Sequence, residues 1–416
     1  MEEKKKVDNP AGLAVKPHVA GKPEGTAVAS PPRSSPAQGT PQASAAPRPA
    51  APAAQKAHAA APPKVGGTAV PISKRPAHAE EAAPRKLGHI DEAAIKKLGD
   101  TYSMIRKEIQ KTIVGQDEVV SRLLVALLAN GHCLLEGVPG LAKTLLISTL
   151  SQALTLTFKR IQFTPDLMPS DITGTEIIQD DPETGERKFK FLEGPIFSNI
   201  ILADEINRTP PKTQAALLES MQEKQVSIGG KIHKLSIPFF VLATQNPLEQ
   251  EGTYPLPEAQ QDRFIFKIFV DYPSEEEEDR IMRRVADLAF GQVRPVLDGR
   301  GIMEAQEICR QIPVADEVYH YARRLVRATR QNTPESLEFC RNWLAWGAGP
   351  RASIFLITAG RAHAGIHGRT CVTCEDVAAV APPILRHRLA CNYVARAEGI
   401  NSEKVISELL KAVPKF

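Results

Sequence analysis

The chain has 416 residues, of which 42% are hydrophobic, 24% charged and 5% aromatic, enough for two or three domains with a sizeable core. A net charge of +4 is too mild to single out nucleic acid as a partner, and six cysteines at this length do not make a disulfide scaffold. No apolar run is long enough to suggest a membrane span, and the opening MEEKKKVDNP lacks the apolar stretch of a secretory signal, so a soluble cytoplasmic protein is expected.

Charge and proline are unevenly spread. Residues 1–88 hold 15 of the 34 prolines and no Phe, Trp or Tyr. Such an Ala/Pro-rich stretch buries too little apolar surface to offset the cost of ordering its backbone, which predicts a disordered tail with polyproline character. The tail carries 13 Lys/Arg against 6 Asp/Glu, and the rest of the chain 39 against 42. The part expected to fold is therefore slightly acidic.

From residue 91 the pattern becomes periodic. Ala94, Ile95, Leu98, Tyr102, Ile105 and Ile109 stand at helical spacing over 91–112. Apolar strand-like runs then follow at 132–135, 159–163, 200–203, 239–243 and 264–270, with amphipathic helical segments at 118–130, 144–153 and 213–223. This alternation predicts an α/β fold, a parallel sheet between helices. Two hairpins interrupt it, one over 177–192 turning around 180–185, the other over 226–235 turning at Gly229-Gly230. After Tyr272 no strand is expected and the pattern is helical. Three regions follow: a tail to 88, an α/β core over 89–272 and a helical domain over 273–416.

The strongest chemical signal is Gly137-Val138-Pro139-Gly140-Leu141-Ala142-Lys143-Thr144, followed by Leu145. It stands after an apolar strand and before an apolar helix, the context a phosphate-binding loop needs. Glycines let the backbone wrap a polyphosphate with its N–H groups inward, and the helix N-terminus adds partial positive charge. In that role Lys143 reaches the terminal phosphates of ATP and the Thr144 hydroxyl ligates Mg²⁺. Ala142 takes the place of the pattern's second glycine, which a Cβ tolerates if φ there is negative.

The apolar run Ile200–Ala203 ends in Asp204-Glu205. Neighbouring side chains on a strand face opposite ways, so Asp204 is expected to hold Mg²⁺ through water. Glu205 is then the base for an attacking water. The run Phe239–Ala243 ends in Thr244-Gln245-Asn246, and Asn246 is placed to bond both the γ-phosphate and that water.

Together, GVPGLAKT, ILADEINR, ATQNP, LPEAQQDRF (256–264) and GPRA (349–352), with FTPDLMPSDITG and RTPPKTQAALLESMQE between, resemble the MoxR family of AAA+ ATPases in order and spacing over about 90–410. The resemblance implies a P-loop core followed by a small helical lid. It makes Asn246 the sensor-1 residue, Arg263 an arginine finger lent to the neighbouring subunit, and Arg351 a sensor-2 residue tying the lid to the γ-phosphate. Val114-Gly115-Gln116 resembles the segment that meets adenine. An arginine supplied in trans implies a ring, expected to be a homo-hexamer. The two hairpins resemble inserts that engage a client or partner, and a von Willebrand factor A-domain protein is an expected partner in remodelling, maturation or metal loading of protein complexes. Arg208 is open between its own site and the neighbour's.

Two other readings share the ATPase core. One is a DNA-associated motor, suggested by the basic tail but opposed by an acidic folded part without a basic patch interleaved with aromatics. The other is a chelatase-like motor subunit. Cys371 and Cys374 form a lone CxxC, read as packing at a helix start. His132 is read as structural, and Trp343 and Trp346 as lid packing.

Overall fold

Alternation of apolar residues sets the core sheet. In the computed structural model, which describes residues 91–180, 187–247, 252–287 and 291–415, five parallel strands pair edge to edge. The strands in chain order are β1 (Cys133–Glu136), β2 (Phe158–Gln162), β3 (Gly174–Asp180), β4 (Arg187–Glu193), β5 (Ile200–Asp204), β6 (Gln225–Ile228), β7 (Lys231–Lys234), β8 (Phe240–Gln245), β9 (Phe266–Phe269), β10 (Leu344–Trp346) and β11 (Ala390–Cys391). The main sheet runs β2-β5-β8-β1-β9. Its register sets Leu134 beside Ala243 and Ala203 beside Ala243 across the other edge of β8.

Each central strand is apolar on both faces, as a sheet covered on both sides requires. Cys133, Leu135, Ile200, Leu202 and Leu242 join one hydrophobic cluster, whereas Leu134, Ile201, Ala203, Val241 and Ala243 join the other. The first cluster continues into the N-terminal helices α1 (Glu92–Gln110), α2 (Asp117–Leu128) and α3 (Lys143–Ala153). After the short α4 (Pro169–Thr173), the second is covered by α5 (Pro211–Glu223) through Leu217, Leu218 and Met221. The helix α4 was not foreseen; five residues are too few for a periodic signal, and the Asp171 carboxylate accepts from the Met168 N–H to start it.

Both expected hairpins form, β3 with β4 and β6 with β7. The expected turn at 180–185 lies mostly outside the described residues, as does the tail expected over 1–88. The hairpins meet each other: the Phe191 and His233 rings are 4.1 Å apart, and Lys231 pairs with Glu176 at 3.7 Å. Ile178 and Phe189, a cross-strand pair, remain 60% and 70% exposed, as does Ile232 at 64%.

After α6 (Glu258–Gln261) and the last core strand β9, the helices are α7 (Glu275–Ala286), α8 (Gly299–Gln311), α9 (Asp316–Ala328), α10 (Glu338–Trp343), α11 (Pro350–Ile366), α12 (Cys374–Leu385), α13 (Tyr393–Ala397) and α14 (Ser402–Ala412). The acidic start of α7 is a helix cap: the Ser274 hydroxyl accepts from the Glu277 N–H while the Glu277 carboxylate accepts from Ser274. One expectation fails here, because β10 and β11 form a small antiparallel pair where no strand was predicted. Strands of three and two residues are too short to show alternation. Trp343 is half-buried and lies 5.3 Å from the Phe339 ring, but Trp346 is 47% exposed and does not pack the interior. Helix α11 touches α1, α2, α8, α9 and α12, so these residues belong to one compact unit.

A candidate phosphate site and its carboxylates

The loop between β1 and α3 is shaped by positions that refuse a Cβ or carry positive φ. A Cβ on Gly137 would meet the Val270 carbonyl at 2.4 Å, while Gly140 has φ +88° with open space around it. Ala142 also has positive φ, 51°, which corrects the expectation that alanine needs a negative φ here. The backbone dictates the left-handed turn that opens α3, and the exposed Ala142 side chain carries the strain of about 1–2 kcal/mol. Left-handed turns at a helix start gather N–H groups into an anion-binding hollow.

A cavity of about 350 Å³ lies against this loop, lined by Pro139 to Thr144. Its opposite wall comes from three parallel strands: Arg160 in the middle of β2, and, at the carboxyl ends of β5 and β8, Asp204 and Glu205, and Thr244, Gln245 and Asn246. Within it the Lys143 ammonium donates to the Gly137 carbonyl and, at 3.2 Å, to that of Val138. Partial burial lowers the Lys143 pKa, and the charges of Asp204 and Glu205 work in the opposite direction.

The two carboxylates share the cavity rather than facing apart. Glu205 has φ 57°, so the strand ends at Asp204 and the alternation stops with it. The Thr244 hydroxyl joins them, donating to Asp204 Oδ1 at 2.6 Å and accepting from the Glu205 N–H at 2.8 Å. Asp204 Oδ2 accepts from Arg160 Nε and Nη2 at 3.0 and 2.6 Å. Gln162 bridges the pair, accepting from Arg160 Nη2 and donating to Glu205 Oε2, each at 2.6 Å. Arg208 lies 3.2 Å from Glu205 Oε2, so it faces the site of its own chain. Asn246 is 6% exposed at the end of β8.

Other expected site residues stand apart from this cavity. Val114, Gly115 and Gln116 precede α2; Gly115 has φ +69° against Glu277, and Gln116 donates to the Leu141 carbonyl at 3.4 Å, which fastens the segment to the loop. Leu145 is 44% exposed, and Val138 packs against the first hydrophobic cluster. Arg351 pairs with Asp262 at 3.2 Å. Arg263 is half-buried and its side chain has no ion pair or hydrogen bond among the described residues. An Arg263–Asp262 pair is not formed, because Asp262 is held by Arg351 and Arg388.

Arg160, Gln162 and Thr244 were not among the expected residues. Arg160 and Gln162, two apart on β2, share one face of the strand, but only the register that sets Gln162 beside Asp204 brings that face to the carboxylates. His132 is structural as expected. Its Nδ1 accepts from the Val241 N–H at 3.1 Å and Nε2 lies 3.3 Å from the Met221 carbonyl, while full burial lowers its pKa to about 4. Cys374 is buried, Cys371 is exposed, and no group of three metal-ligating side chains occurs among the described residues. No described helix is long and apolar enough to cross a membrane.

Comparison with known proteins agrees with this geometry. The profile of the ATPase family associated with various cellular activities (AAA) matches residues 132–266, and that of the AAA lid domain matches 339–409. The chain is 48% identical over 306 residues to the chaperone MoxR1 of Mycobacterium tuberculosis, covering 74% of this chain and 80% of that one. It is 42% identical over 308 residues to the protein YeaC of Bacillus subtilis, covering 74% and 92%. The crystal structure of a putative ATPase from Cytophaga hutchinsonii superposes with a TM-score of 0.72 at 44% identity, covering 78% of this chain and 97% of that one.

Proposed function

Since this chain belongs to the MoxR family of AAA ATPases, whose reaction is ATP hydrolysis, we propose that hydrolysis takes place in the cavity at the 137–144 loop and drives chaperone-like remodelling of a partner protein. The observation that carries the reading is the pairing of a left-handed anion hollow at Gly140–Ala142 with two carboxylates across the same 350 Å³ cavity.

In this reading the loop amides cradle the β- and γ-phosphates and Lys143 leaves its carbonyl partners to neutralise them. Thr144 and Asp204 are the side chains that would hold Mg²⁺, which supplies charge neutralisation at the phosphates. Both line the cavity, the hard oxygen donors the ion prefers. Glu205 takes the proton of the attacking water once its hold on Gln162 and Arg208 loosens, and Asn246 orients that water. Val114, Gly115 and Gln116 accept the adenine end. Arg351 comes from the chain's own lid, residues 273–416, and Arg263 from the neighbour's core in a hexameric ring. A planar cation there stabilises the charge on the transferring phosphoryl group.

The client face is the hairpin pair, where Ile178, Phe189 and Ile232 expose apolar surface that an unfolded or partner segment covers. A von Willebrand factor A-domain protein is the expected partner, and the cytoplasm the expected compartment. The test is paired. Lys143→Ala loses ATP binding, whereas Glu205→Gln binds ATP and stalls. Wild-type turnover in both variants refutes the site, and a protein that stays monomeric with ATP in sedimentation refutes the ring.

A further inference from the structure

Asp262 holds two arginines of unequal standing. Arg388, just past α12, is 2% exposed and donates to Asp262 Oδ1 at 2.7 Å, to the Asp262 carbonyl at 2.9 Å and to the Phe264 carbonyl at 2.6 Å. Burial lowers its pKa to about 10, so it stays charged at neutral pH. Those bonds anchor the lid to the segment that carries Arg263. Arg351, in the first turn of α11, reaches the same carboxylate through one contact at 3.2 Å and is 39% exposed. It does not line the phosphate cavity.

We propose that Asp262 is a positioning residue that keeps Arg351 away from the phosphate cavity until a terminal phosphate takes it, so that triphosphate binding exchanges one partner of Arg351 for another. This rests on the reading above that Arg351 meets the γ-phosphate. The exchange leaves no bare charge behind. When Arg351 departs, Arg388 still compensates Asp262, and a carboxylate whose side chain is 29% exposed stays paired with a buried guanidinium. The diphosphate has no γ-group to compete and leaves Arg351 in place. Because residues 262–265 stay fixed to α12 through Arg388, the exchange is felt at the start of α11 beside the segment that carries Arg263. The nucleotide held by one subunit is thereby linked to the arginine it offers the next.

The test compares a non-hydrolysable ATP analogue, AMP-PNP, with ADP by calorimetry on the full chain. Asp262→Asn keeps an oxygen acceptor for Arg388 but removes the charge that retains Arg351. It is expected to tighten AMP-PNP about fivefold, the worth of one partly exposed ion pair, and to leave ADP unchanged. Asp262→Glu restores the wild-type ratio. In an Arg351→Ala background, Asp262→Asn has no effect on either nucleotide. If Arg351→Ala weakens AMP-PNP selectively while Asp262→Asn leaves it unchanged, the exchange is wrong and the Arg351 reading stands. If Arg351→Ala alters neither nucleotide, both fall. Should Asp262→Asn fail to fold, maps of the unmutated protein decide: Arg351 on Asp262 with ADP and off it with AMP-PNP supports the exchange, and Arg351 on Asp262 with both overturns it.

Discussion

Replacing Ala142 by glycine isolates the strain in the phosphate loop. Ala142 sits at φ 51°, ψ 26° as the residue before α3, its side chain is exposed, and it makes no capping bond. Removing the Cβ therefore sacrifices no packing. It relieves about 1–2 kcal/mol of left-handed strain, against which the greater freedom of glycine in the unfolded chain costs about 0.4–1 kcal/mol. The net expectation is a gain of about 0.5–1 kcal/mol, a rise in Tm of roughly 1–2 °C for a unit of this size. ATP affinity is expected to change little, since the loop already holds this conformation. Ala142→Val, a β-branched side chain at the same φ, is expected to lower Tm and weaken ATP binding together. Calorimetric melts with nucleotide titrations on the same samples read both quantities. A fall in Tm for Ala142→Gly, or a harmless Ala142→Val, refutes a left-handed Ala142.

Two further outcomes follow from the same geometry. His132 has its pKa lowered from 6.5 to about 4 by burial, so the unfolded chain takes up a proton at a higher pH than the folded one. Its contribution to stability is whole above about pH 6.5 and is lost as pH falls toward 4, amounting to about 2 kcal/mol between pH 7 and 5. His387 is shifted the same way by burial and adds to the slope. Urea melts across this range should show a shallower dependence in His132→Gln, and an unchanged slope refutes the neutral buried imidazole. Arg160→Ala frees Asp204 Oδ2 from its cation and should lower the Mg²⁺ needed for half-maximal nucleotide binding by about threefold to tenfold; an unchanged Mg²⁺ requirement means that Arg160 does not compete for Asp204.

Local patterns were enough for much of this protein. Ile200–Ala203 is apolar at every position because β5 is covered on both faces, and that runs through the sequence as a plain apolar stretch. The loop at 137–144 and the pair Asp204-Glu205 were legible because one strand end and one turn carry them. Other features depend on neighbours far along the chain. Arg160 enters the cavity because β2 lies beside β5, whose paired residues come 42 positions later in sequence. Ala142 and Glu205 turn left-handed under the constraint of the loop and the Thr244 hydroxyl, although residues with a Cβ disfavour that turn.

The sequence by itself determined the order of the five core strands and the two hairpins, the phosphate loop and the family, because periodicity and short motifs are properties of adjacent residues. Only the tertiary structure decided which charges meet, Arg160 with Asp204 and Asp262 with Arg351 and Arg388, and that the Gln162 amide donates to Glu205. Ion pairs join whatever the packed sheet and lid bring within a few ångströms, and the spacing of those residues along the chain carries no trace of that proximity.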